Sequence, residues 1–68
     1  MSAANDQIRK ALAALIGARA ANSAVIWSGY DNGTGRTGWH YVPFGKTAVY
    51  LGASLSDALA FIGQRVGA

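Results

Sequence analysis

The sequence predicts an α+β domain in the order α-β-β-β-α, a three-stranded antiparallel sheet with two helices packed on one face. Apolar residues recur at helical spacing near both ends, at Ile8, Leu12, Leu15 and Ile16 and again at Leu55, Leu59, Ile62 and Val66. Between them lie SAVIWSGY, WHYVPF and TAVYLG, short runs rich in β-branched and aromatic residues and separated by turn formers. Length is the third indication, because 68 residues make one domain, residues 1–68, with no room for a linker.

The first helix is expected over about residues 5–21, with Asn5 and Asp6 as capping residues and Asn22 as a stop. Arg9, Lys10 and Arg19 fall off its apolar stripe and are expected in solvent. A strand over about residues 23–30 leads into DNGTGRTG, whose density of Asp, Asn, Gly and Thr marks a loop. The second strand, about residues 38–44, has Pro43 near its end, where a missing amide is tolerated. A connection around Gly45 and Lys46 leads to a third strand over about residues 47–52. The last helix, about residues 54–66, opens on Ser54 with Asp57 three positions later, close to a capping box.

Composition narrows the function classes. With 51% hydrophobic and 13% charged residues the chain has the make-up of a folded domain. Much of the apolar share is alanine, so the core must rest on a few larger side chains, and self-association would help it. The absence of cysteine excludes disulfides, thiol catalysis and thiolate metal sites. MSAANDQIRKAL lacks the apolar core of a secretory signal, and no stretch has the length of a bilayer span, so a soluble, cytoplasmic chain is expected. The net charge of +3 would favour approach to a polyanion, but the cations are spread along the sequence.

GTGRTG, residues 33–38, matches a glycine fingerprint for pyrophosphate. Such a loop binds phosphate when it leads from a strand into a helix, whose first amides are free. Here it leads into WHYVPF, so the expectation is a mobile hairpin loop, with Arg36 at its tip either as a solvated arginine that keeps the loop soluble or as a fork of donors for a carboxylate or phosphate. Catalytic groups are scarce. His40, the one histidine, lies between Trp39 and Tyr41 and is expected as a partly exposed cross-strand side chain; the three acids are scattered, and Ser54 and Ser56 read as helix-start residues. No enzyme, metal, cofactor or small-molecule substrate is implied.

The aromatics carry the functional expectation. Alternation in WHYVPF puts Trp39, Tyr41 and Pro43 on one face and His40, Val42 and Phe44 on the other, the second set resembling a core face. Val25 and Trp27 alternate with Ala24, Ile26, Ser28 and Tyr30, and Ala48 and Tyr50 with Val49 and Leu51. Two helices cover one face of such a sheet, so the other is expected to display several of Trp27, Trp39, Tyr41 and Tyr50 as a contact surface. The competing expectation is that twist tucks these rings into the core.

The helix, three strands, helix order resembles the double-stranded RNA-binding domain in topology. That family grips phosphates with lysines at the start of its last helix, where this chain has SLSDAL. Over roughly residues 24–66 a second likeness appears, KTAVYLGASLSDAL being similar to the third strand and helix start of AP2 and integrase-type DNA-binding domains. In those families arginines and tryptophans on the sheet enter the major groove. The likeness implies a DNA-binding sheet with tryptophans present and with Arg36 and Lys46 in the two connections, at opposite ends of a meander.

The expected function is that of a small non-enzymatic binding protein docking an aromatic sheet face, or a sheet edge, onto a protein partner through Trp27, Trp39, Tyr41, Tyr50 and Arg36. Its one-domain form resembles, in size alone, inhibitor proteins of phages and mobile elements. The alternatives are a nucleic-acid-binding domain using the sheet aromatics with Arg36, Lys46, Arg9, Lys10 and Arg19, and a homodimer whose open face is closed by symmetry.

Overall fold

The computed structural model describes residues 3–43 and 45–67. Its elements are α1 (Ala3–Ile16), α2 (Ala18–Ser23), β1 (Val25–Asp31), β2 (Arg36–Val42), β3 (Val49–Gly52) and α3 (Leu55–Val66). The domain is α+β, with an antiparallel sheet in the order β1-β2-β3 and helices before and after it.

The N-terminal helix, expected unbroken to about residue 21, bends at Gly17 into α1 and α2. Gly17 has φ 92 and ψ 151, a backbone conformation open to glycine and strained for any residue with a Cβ. Its N–H still donates to Ala13 O at 3.0 Å and its carbonyl accepts from Ala21 N–H at 2.9 Å, so the chain turns without losing either bond. The corner is held from α1. Arg9, expected in solvent, donates from its guanidinium to the carbonyls of Ala21, Asn22 and Ala24. The Ala21 carbonyl also accepts from Ala24 N–H at 3.3 Å, while those of Asn22 and Ala24 lie at and just beyond the end of α2, where helical donors run out and a fixed cation is a good partner.

The β1–β2 hairpin closes on a shorter connection than expected. Its register runs without a bulge from Val25↔Val42 through Trp27↔His40 to Asp31↔Arg36. The connection is only residues 32–35, and it is held at both levels: Gly35 N–H donates to Asp31 O at 2.8 Å, and Thr34 N–H to the Asp31 carboxylate at 2.8 Å. The expected mobile loop is therefore a tight turn, and Arg36 is the first residue of a strand. Ser23 belongs to α2, so β1 starts two residues later than predicted. β2 ends at Val42, immediately before Pro43; the expected strand end at Phe44 lies outside the described residues.

β2 and β3 pair as Trp39↔Gly52, His40↔Tyr50 and Tyr41↔Val49, with a bulge between Trp39 and His40. The last strand residue lies against α3, because a Cβ on Gly52 would stand 2.7 Å from Asp57 Cβ. Ser54 caps α3, its hydroxyl accepting from Asp57 N–H at 3.1 Å.

The core consists of Ile8 and Leu12 of α1, Ala21, Ala24, Ile26, Tyr41, Leu51, and Ala58 and Ile62 of α3. Each buried branched aliphatic here contributes about 1.5–3 kcal/mol. Leu15, Ile16, Leu55 and Leu59 border it half-buried, while Val66, assigned to the apolar stripe from its spacing, is 44% exposed at the end of α3.

Candidate functional site

Ile26, Tyr41 and Leu51 lie under the helices, with Trp39 and Val49 packed against the same cluster. Trp27, Val42 and Tyr50 make no part of it, so they mark the sheet face that the helices leave uncovered. This reverses the expected assignment within WHYVPF. Trp39 and Tyr41 point to the helices, Tyr41 being only 8% exposed, and His40 and Val42 point away. The reason lies in the neighbouring strands: β2 alone is balanced between two bulky faces, and the register aligns Tyr41 with Ile26 on β1 and Val49 on β3. Of the expected contact aromatics, the open face keeps Trp27 and Tyr50.

These two rings enclose His40. Trp27 stacks on it with centroids 5.1 Å apart and an interplanar angle of 10°, and Tyr50 meets it edge-on at 5.3 Å. His40 is 0% exposed, which corrects the expectation of a partly exposed side chain. Its Nδ1 lies 2.9 Å from Gly38 O, and since a carbonyl only accepts, Nδ1 is the donor. Its Nε2 lies 2.8 Å from Thr34 Oγ1, so the ring also tethers the turn. Arg36 places its guanidinium carbon 5.2 Å from the Tyr50 ring centroid, and the Tyr50 hydroxyl donates to Thr37 O at 3.4 Å. The uncovered face is thus a second, aromatic layer that seals one histidine. Its accessible parts are Val25, 60% exposed, the half-buried Trp27, Val42 and Tyr50, and exposed Arg36.

The cations do not converge. Arg9 is engaged with carbonyls, Lys10 and Arg19 are exposed on the two N-terminal helices, Arg65 lies over the Phe61 ring at 4.4 Å on α3, Arg36 is at the β1–β2 turn and Lys46 follows Pro43 at the other end of the sheet. Asp31, an acid, is the cross-strand neighbour of Arg36. A cleft of about 340 Å³ lies between α1 and α2, lined by Asp6, Arg9, Lys10, Ala13, Ala18 and Asn22. Among the described residues no three His, Cys, Asp or Glu side chains gather to hold a metal, and no helix is long and apolar enough to cross a membrane.

The burial of His40 and the role of Arg9 were not visible in the sequence, since each depends on partners brought close by the fold. A signal existed for the first: Trp27, His40 and Tyr50 are aligned once the hairpin register is known. The chain matches no protein-family model, no curated protein and no solved structure.

Proposed function

We propose that this chain is a small non-catalytic binding module that docks its uncovered sheet face onto a protein partner through Val25, Trp27, Tyr50 and Arg36. The observation that carries this reading is an apolar and aromatic row on the one sheet face without helices, with Val25 60% exposed at its margin. Exposed apolar side chains beside half-buried rings are the usual make-up of a contact surface. Trp39 and Tyr41 drop out of the surface because they serve the core. The non-catalytic part is supported by His40, whose two ring nitrogens are engaged inside a closed aromatic layer. A protein partner is favoured over nucleic acid because the cations are dispersed and Arg36 has an acid, Asp31, as its cross-strand neighbour, whereas phosphate binding gathers positive charge on one surface.

The test is affinity capture with the wild type, Val25→Asp, and the double variant Arg36→Ala with Lys46→Ala. Val25 is exposed and outside the core, so its change probes the face without disturbing the fold. A polypeptide retained at high salt by the wild type and the double variant, and lost with Val25→Asp, is the expected result. Capture of nucleic acid that is released by salt and abolished in the double variant would replace this reading with the nucleic-acid one.

A further inference from the structure

The outer edge of β1 is covered over only half of its length. The carbonyls of Ala24 and Ile26 point away from β2 towards α1, where Arg9 donates to the first at 3.0 Å and Asn5 to the second at 3.3 Å. In an antiparallel pair the N–H and C=O of alternate residues point to the same side, and the register continues unbroken to Asp31↔Arg36. Ser28 and Tyr30 therefore also direct their backbone groups outward. Among the described residues nothing bonds to them. Both residues are exposed, Tyr30 by 62%. Protein edges are usually blunted by charge, proline or a bulge. From Val25 to Tyr30 this strand has none of these.

We infer that the free half of this edge pairs with the same segment of a second copy, antiparallel about Gly29. Centring on Gly29 sets Ser28 opposite Tyr30 of the second copy, and Tyr30 opposite its Ser28. Each pair exchanges N–H···O bonds, and the capped carbonyl of Ile26 is not needed. Gly29 would face itself at a non-hydrogen-bonded position, where backbones approach most closely and a side chain would intrude. Tyr30 would lie over the small Ser28 of the other copy. Charge permits this occupant: the paired segment Ser28–Tyr30 is uncharged, and each Asp31 falls opposite a Trp27 rather than the other Asp31. The contact is isologous and closes as a dimer, with β3-β2-β1 continued into its symmetry mate as one sheet. One strand pair buries less than a standard interface, so the dimer is weak and concentration-dependent.

This inference does not rest on the docking reading, since it uses the backbone edge and not the sheet face. Amide exchange followed by NMR tests it on the wild-type chain. For a Kd of about 100 μM, the Ser28 and Tyr30 amides should exchange roughly fourfold more slowly at about 1 mM than at about 10 μM. The Trp27 and Gly29 amides, bonded within the β1–β2 ladder, should not change with concentration. Sedimentation should show the matching rise in mass, absent in Ser28→Pro, which removes an outward N–H, and in Tyr30→Lys, which adds charge at an exposed position. A monomer at all concentrations would overturn the inference. So would a dimer in which the Ser28 and Tyr30 amides keep their exchange rates, and that outcome would assign self-association to the Trp27 face.

Discussion

Replacing His40 by alanine should cost this domain about as much as a large core truncation, although the residue lies on the face that the helices do not cover. Two hydrogen bonds are lost, to Gly38 O and Thr34 Oγ1, at about 1 kcal/mol each. Two ring contacts go with them, with Trp27 and Tyr50, at about 0.5–1.5 kcal/mol each. The expected loss is about 4 kcal/mol against a total stability of roughly 3–10 kcal/mol for 68 residues. In a domain of this size that lowers the melting temperature by roughly 15–30 °C. His40→Phe keeps the rings packed and loses only the hydrogen bonds, so it should cost about 2 kcal/mol. The assay is urea unfolding followed by tryptophan fluorescence, with near-ultraviolet dichroism reporting the Trp27 environment in the folded state. A His40→Ala cost below about 1 kcal/mol would refute the reasoning, because a side chain that makes these four contacts in a closed layer cannot be removed so cheaply. Equal costs for the alanine and phenylalanine variants would refute the assignment of half the loss to ring packing.

Gly52→Ala should destabilise by about 1–3 kcal/mol, since its Cβ would stand 2.7 Å from Asp57 Cβ and 2.9 Å from Ala58 N. Gly63→Ala should stabilise by about 0.5–1 kcal/mol, because the added methyl meets nothing within 4 Å and a mid-helix glycine is replaced; the two midpoints of thermal unfolding give opposite shifts. Arg9→Ala should cost about 2 kcal/mol through the three carbonyls it leaves, while Lys10→Ala should stay within about 0.5 kcal/mol of wild type in the same denaturant titration. Ser54→Ala should cost about 1 kcal/mol by freeing Asp57 N–H, with a matching loss of helical dichroism on heating.

Where the sequence was informative, the determinants are local. Ile8 and Leu12 are the buried centre of α1 because their spacing puts them on one side of a helix, and Ser54 caps α3 because its hydroxyl needs only an amide three residues on. The break at Gly17 was hidden by the alanines around it, which favour helix on both sides while the glycine permits a turn. Arg9 acts across 12 to 15 residues, a distance at which periodicity says nothing. The faces of β2 were the costliest uncertainty. Trp39 and Tyr41 are as bulky as His40 and Val42, so nothing within the strand selects the side to be covered. The decision belongs to the sheet as a whole, whose register sets Tyr41 beside Ile26 and Val49, with Leu51 in the same buried cluster.

The aromatic layer around His40 also limits what the uncovered face can offer a partner. Had Trp27, Trp39, Tyr41 and Tyr50 all been displayed, any of them could have served as an anchor. Two are committed to the helix side, and the other two are half consumed in closing over the histidine. What remains is a rigid surface, with ring orientations fixed by stacking and by the Tyr50 hydroxyl bond to Thr37 O. Rigid aromatics lose little conformational freedom on binding, which favours a partner of complementary shape over one gripped by mobile cations. The β1 edge adds a second kind of contact at the margin of that surface. If it closes onto a second copy, Val25 and Trp27 of both chains lie on one continuous sheet, and a bivalent partner would meet two such surfaces side by side. Binding should then steepen with protein concentration in the wild type and lose that dependence in Tyr30→Lys, while Val25→Asp weakens it at every concentration. The two variants thereby separate the edge from the face in a single titration.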